Sequence, residues 1–389
     1  MTDPKNHLPL TRANIHAAHA RISSYIHRTP LLTCRTLDRI ASTAQDPADL
    51  VGTPFEGQTP ARPKFRFYFK CENLQRIGAF KPRGAFHAVL RLLEERGEEE
   101  VRRRGVVTHS SGNHAQALAL AASTLSIPAY IIMPSISTPS KIASTQALGA
   151  KVIFSGSTST EREAVTERVQ AETGAIFVPP YDHPDIILGQ GTVGLELEEQ
   201  YIQLKREEAA QAGATLDEEE PALDAVFTPI GGGGLNAGVA TYFSSTEEHK
   251  KKKKTKVFGA EPSFEGADDC RRGLAAGSRI ETVSSKTIAD GLRTPVGVHN
   301  WAVISDPNKV AGVYAVSDEQ IKKAMRLVLE RMKVVVEPSA VVGLAVCLFD
   351  EEFRRLVEKE GGEKGWDVGI VFSGGNTTVE AIASMFGSK

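Results

Sequence analysis

One lysine, two short polar turns and a run of glycines carry the groups in this chain that could do chemistry. The lysine is Lys81, within GAFKPRGAFHAVLRLLEERG at 78–97. Pro82 lacks a backbone N–H and suits the first position of a helix, and its ring disfavours helical dihedrals at the preceding residue. Lys81 is therefore expected just outside the helix, at a junction from which an amine can point into a cleft. The first polar turn, Ser110-Ser111-Gly112-Asn113 in THSSGNHAQALALAAS at 108–123, offers hydroxyls, an amide and N–H groups at a helix N-terminus. Such a place suits a carboxylate. The glycines Gly231, Gly232, Gly233 and Gly234, in LDAVFTPIGGGGLNAGVATYF at 223–243, let successive N–H groups converge on an anion such as a phosphate. The second polar turn starts at Ser373 in WDVGIVFSGGNTTVEAIASMFG at 366–387. An amine, a carboxylate site and a phosphate site together describe a small-molecule enzyme.

The surrounding pattern supplies elements to hold these groups. FRFYFKC at 65–71 alternates Phe65, Phe67 and Phe69 with Arg66, Tyr68 and Lys70, a strand pattern. Phe86, Val89, Leu90 and Leu93 fall at helical spacing and predict a helix with one buried face. A strand over Gly105–His109 meets a helix beginning near His114. Further strands are predicted at Tyr130–Met133, Lys151–Phe154 and Ala175–Val178, separated by helices that stop at Gly149 and Gly174. Alternating βα units predict doubly wound sheets, whose ligands sit at the carboxyl ends of strands, where Ser373 falls. The glycine run is no dinucleotide fingerprint, because Asn236 stands where G-x-G-x-x-G needs its last glycine. Ser317 and Gln320 form a capping box for a later helix. The segments 44–63, 205–222 and Lys250–Lys254 read as solvated insertions.

Composition is that of an ordinary globular enzyme of about two domains: 389 residues, 41% hydrophobic, net charge −2. Neither nucleic acid nor membrane is suggested as a partner. MTDPKNHLPL lacks the apolar core of a signal peptide, so a cytoplasmic location is expected. Cys34, Cys71, Cys270 and Cys347 lack metal-ligand spacing and read as reduced thiols.

The chain resembles the serine/threonine dehydratase and serine racemase family of pyridoxal-phosphate enzymes, which have the tryptophan-synthase-β-like fold (fold type II). The resemblance runs from HRTPLL at 27–32 to the last helix. It includes PPYDHPDIILGQGTVGLELEEQ at 179–200, AEPS at 260–263, TIADGLRT at 287–294 and ERMKVVVEPSAVVGLA at 330–345. It implies an α/β protein with two doubly wound sheet domains and a cofactor site in the cleft between them. The large domain would comprise 1–96 and 185–389, the small mobile domain 97–184, and the assembly a homodimer. Lys81 would carry pyridoxal 5'-phosphate covalently above Phe80. Asn113 would bond the ring 3-hydroxyl, Gly231 to Gly234 the phosphate, and Ser373 the ring nitrogen. Ser110, Ser111, His114, Arg162 and Thr294 would contact substrate.

The implied activity is an ammonia-lyase reaction that turns serine- or threonine-type β-hydroxy amino acids into a 2-oxo acid and ammonia. Ser111, opposite Lys81, would make racemisation available as well, since one acid/base on each face is the geometric minimum. Ala79 ahead of Phe80 and Lys81 matches a branch acting on threo-3-hydroxyaspartate. A pyridoxal-phosphate-binding protein without catalysis is the remote alternative. A divalent cation (Mg²⁺, Ca²⁺ or Mn²⁺) is expected on Glu261, Asp269 and the carbonyl of Ala267, with the choice between Asp268 and Asp269 open.

Overall fold

A computed structural model of the chain describes residues 3–110, 112–213, 221–244 and 254–387. Its strands are β1 (Leu31–Leu32), β2 (Phe65–Cys71), β3 (Val106–His109), β4 (Ala129–Pro134), β5 (Lys151–Ser155), β6 (Ile176–Phe177), β7 (Ala225–Pro229), β8 (Lys256–Pro262), β9 (Gly312–Val316) and β10 (Trp366–Phe372). They build two sheets. The larger has the order β1-β2-β10-β7-β8-β9 and is parallel except for β1. The smaller, β5-β4-β3-β6, is parallel throughout. Parallel strands need crossover helices, and these cover both faces of each sheet.

The strand β2 shows how the sequence pattern is used. Phe65, Phe67 and Phe69 enter the core on one face with Phe227, Phe258 and Phe372, while Tyr68 enters the opposite core with Val226, Val257 and Val371. The polar member Lys70 is not solvated but fully buried. Its ammonium lies 2.7 Å from Glu196 Oε2, and Arg83 bonds both Glu196 and Glu72 in the same cluster. The expected single buried face of the helix Pro82–Arg96 is also too modest, because every residue from Pro82 to Val89 is buried. Helices Asn113–Thr124 and Pro184–Gln211 enclose its first two turns.

Proline does start that helix, yet Lys81 itself has helical dihedrals (φ −54°, ψ −31°). The local rule yields because the Lys81 carbonyl already accepts the Ala85 N–H at 3.1 Å, so the residue belongs to the first turn. Gly174, at φ +73°, ends the helix Ser159–Thr173, and Ser317 and Gln320 exchange the two capping-box bonds. Within the expected insertions, Lys205–Gln211 continue the helix Pro184–Gln211. Lys254 donates to the Asn308 carbonyl. Residues 214–220 and Lys250–Lys253 lie outside the described residues. The segment 44–63 is mostly exposed but pinned by buried Leu50 and Ala61. Among the described residues, no helix is long and apolar enough to cross a membrane.

Candidate active site

The loops after β2 and β10, neighbouring parallel strands, zip together. The Phe80 N–H bonds the Ser373 carbonyl at 3.0 Å, and the Gly375 N–H bonds the Gly78 carbonyl at 2.9 Å. Ile77, at φ +59°, makes the sharp turn that brings the chain back to this edge. Ser373 is thereby buried beside Phe80 and Lys81. Lys81 Nζ lies 5.1 Å from the centre of the Phe80 ring. Nζ donates to the Pro180 carbonyl at 2.8 Å. Burial lowers its pKa from 10.5 to about 8, against an opposing pull from Glu337. A lysine in this state is partly neutral near physiological pH, as a nucleophile or base must be.

The glycine run follows β7 and opens the helix Gly234–Phe243. Tyr181, next to the residue that accepts from Lys81, packs against it: a Cβ on Gly232 would come within 2.4 Å of the Tyr181 ring. A Cβ on Gly231 would meet the Gly291 carbonyl at 3.0 Å, and Gly233 sits at φ +89°. Only glycine fits these positions. Among the described residues, no protein acceptor takes the N–H groups of Gly231 to Gly234. A cluster of free donors at a helix N-terminus, next to a neutralisable lysine, fits a phosphorylated carbonyl cofactor.

Across the cleft, Asn113 begins the helix Asn113–Thr124. Its Nδ2 donates to Glu337 Oε1 at 3.2 Å, and its Oδ1 accepts from Asn376 Nδ2 at 2.7 Å. Burial, reinforced by the charge of Asp290, pushes the Glu337 carboxyl up to about 7. Lys141, on the small-sheet helix Pro139–Ala147, reaches Asp290 at 2.8 Å. Ser110 Oγ accepts the Gly112 N–H at 3.3 Å. Ser111 lies outside the described residues.

His114 is buried, and burial followed by the charge of Lys81 lowers its pKa to about 3. Its Nε2 faces the Val178 carbonyl at 3.3 Å, so Nε2 carries the proton and Nδ1 is left as an acceptor. In that form it is a neutral wall of the site rather than a cation for a carboxylate. Arg162, in the first turn of Ser159–Thr173, lies near His109, whose pKa is lowered by burial and then by the Arg162 charge, and near Tyr181, whose pKa is raised by burial against a small opposing pull from Arg162. Thr294 lies in the bend after the short turn Asp290–Leu292 and is partly exposed.

The expected cation site needs correction. Glu261 accepts the N–H groups of Cys270 and Arg271 at 3.1 and 3.0 Å, Asp269 accepts that of Val296, and Asp268 pairs with Arg271 and Arg272. Glu261 and Asp269 thus cap backbone N–H groups, and Ala267 is buried. Among the described residues, no group of three or more His, Cys, Asp or Glu could hold a metal ion. Sequence reasoning also passed over Glu337, Asn376, Lys141, Asp290, Tyr181 and Asn300. Glu337 left one trace: a lone carboxylate before Pro338 in the apolar stretch VVVEPSAVV.

Two mainly parallel sheets facing a cleft, with a half-buried lysine and an anion cradle at the strand ends, define a tryptophan-synthase-β-like α/β enzyme. The chain belongs to the pyridoxal-phosphate dependent enzyme family, whose model matches residues 52–374, and within it to the serine/threonine dehydratase and racemase superfamily. It is 37% identical over 97% of both chains to the L-threo-3-hydroxyaspartate ammonia-lyase of Saccharomyces cerevisiae. It is 38% identical to the serine racemase of Arabidopsis thaliana, over 97% of this chain and 96% of that one. The structure of maize serine racemase superposes with a TM-score of 0.77 at 36% identity over 96% of each chain.

Proposed function

We propose that the protein is an ammonia-lyase for serine- and threonine-type β-hydroxy amino acids, releasing a 2-oxo acid and ammonia. The observation that carries this reading is the half-buried Lys81, its pKa lowered, together with the free N–H donors of the glycine loop. Pyridoxal phosphate, when bound, supplies an electron-withdrawing ring that acidifies the substrate Cα–H. Lys81 would hold the cofactor and, once displaced by the substrate amine, take the α-proton on Nζ. Gly231 to Gly234 would bind the phosphate and Ser373 the ring nitrogen, where a hydroxyl, unlike a carboxylate, need not keep that nitrogen protonated. Phe80 would pack against the ring, and Asn113 would orient it through its 3-hydroxyl. Ser110 and Ser111 would bind the substrate carboxylate, with Arg162 and Thr294 at its far end. Elimination needs one base, which favours it over racemisation; racemisation would require Ser111 on the opposite face. The small domain, 97–184, would close over bound substrate, and a homodimer is the proposed assembly.

A second reading, a substrate with an extra β-carboxylate such as threo-3-hydroxyaspartate, draws support from Lys141. Its ammonium stands at the cleft, paired with Asp290 and close enough to influence Glu337. Incubation of the holoenzyme with L-serine, L-threonine and L-threo-3-hydroxyaspartate, with 2-oxo acid and D-amino acid both quantified, tests these readings. Oxo acid in excess supports the lyase and identifies its substrate. D-serine in excess makes it a racemase, and neither product, in a protein that binds the cofactor, defeats the proposal.

A further inference from the structure

The carbonyl of Gly232 is turned away from the anion cradle and held there. It accepts the Gly297 N–H at 3.1 Å and Asn300 Nδ2 at 2.5 Å. In a trans peptide the C=O and the following N–H point in opposite directions. Fixing the Gly232 carbonyl therefore fixes the Gly233 N–H on the other side. Asn300 is fully buried, and its Nδ2 also reaches the Tyr181 carbonyl at 3.4 Å, so two acceptors settle which end of the amide is nitrogen. The Asn300 Cβ leaves no slack, since a Cβ on Gly233 would lie 3.0 Å from it.

Asn300 is itself clamped. It belongs to the helix Val298–Ile304, whose first N–H groups converge on one carboxylate. Asp182 accepts from Val298 and His299 at 2.8 Å each and from Asn300 at 3.4 Å. Asp182 follows Tyr181 and Pro180, and Pro180 accepts from Lys81. One short segment thus touches the lysine, the glycine loop and the helix that holds the loop's carbonyl.

We propose that Asn300, clamped by Asp182, is the positioning residue of the cradle: it holds the Gly232–Gly233 peptide in the orientation that presents N–H groups to the cofactor phosphate. The inference rests on reading Gly231 to Gly234 as the phosphate site. The test uses the full chain stripped of cofactor and titrated with pyridoxal phosphate and, separately, with pyridoxal, which lacks the phosphate. Binding is followed by the yellow absorbance of the lysine-bound form. Asn300→Leu, similar in size but without a donor, is expected to weaken pyridoxal phosphate binding about tenfold or more while leaving pyridoxal binding unchanged. Asp182→Asn, which keeps an acceptor but loses the charge, should fall between it and the unsubstituted protein.

Equal weakening of both ligands would overturn the proposal, because a merely structural role acts on both alike. Unchanged binding of both would overturn it too, while leaving the phosphate reading intact. If the unsubstituted protein does not prefer pyridoxal phosphate to pyridoxal, the phosphate reading itself fails. Should Asn300→Leu not fold, Asn300→Ser, which removes the amide without adding bulk, is held to the same outcomes.

Discussion

Two lysines stand on either side of one turn, and burial lowers the pKa of both. Lys70 is saturated: Glu196 at 2.7 Å, the Thr29 carbonyl at 2.8 Å and Gln200 at 2.9 Å take its three protons. Among the described residues, Lys81 has one acceptor, the Pro180 carbonyl, and no ion pair. An ammonium that must be desolvated, yet is offered few partners, pays part of that cost by losing its proton. On the proposed reading the same side chain would be structural in one place and reactive in the other because of how many acceptors the fold aims at it.

Lys81→Ala puts the comparison at greatest risk. Turnover should fall about 10³-fold or more, with loss of the yellow covalent form, while the protein stays folded because a single hydrogen bond to a carbonyl is lost. Measurable lyase activity above a tenth of normal would show that another group carries the proton. Lys70→Met should do the reverse. It leaves Glu196 with Arg83 as its remaining ionic partner inside the core, and removing one member of a buried ion cluster costs about 3 kcal/mol. The urea midpoint should drop, while turnover per folded molecule changes by less than about twofold. A catalytic loss larger than the stability loss would merge the two lysines into one functional unit.

The sequence made Lys81 legible but not Lys70, and the reason is physical. Pro82 and the helix behind it mark a junction locally, whereas Glu196 is 126 positions from Lys70 and signals nothing by spacing. The βα order, the glycine loop and the place of Ser373 were readable because strand ends and glycine runs are local features. Asn300, Asp182 and Glu337 were not, since each acts through a contact made only when distant loops meet. The acidic loop at Glu261 misled for a related reason. Its letters match cation ligands, but the helix that starts at Asp269 turns backbone N–H groups onto Glu261.

The difference between the lysines can be sharpened by pH. Neutral Lys81 would be the form that captures the cofactor carbonyl, so the rate of cofactor uptake should rise with pH and level off above about 8, not 10.5. A midpoint near 10 would mean that Lys81 is solvated. Glu337 makes a stability test of the opposite sign. Its folded pKa is raised from 4.5 to about 7, so between those values the folded state keeps a proton that the unfolded state has lost. Stability should therefore fall as pH rises through that window, from a level fully present below 4.5. Glu337→Gln should flatten this slope in urea titrations taken across it, and an unchanged slope would assign it to another group.

The smallest effect belongs to Asn376. Its amide donates to Asn113 Oδ1 at 2.7 Å and to the Ile77 carbonyl at 2.8 Å, but the side chain is exposed. Water can replace it at both acceptors, so Asn376→Ala should cost about 1 kcal/mol or less. Asn113→Ala removes the side-chain donor from buried Glu337 instead, and no water is assured there. Its effect on KM should exceed that of Asn376→Ala by about threefold or more. Equal effects would mean that the cleft between the sheets is as wet at Glu337 as at its rim, and that enclosure is not what separates Lys81 from an ordinary lysine.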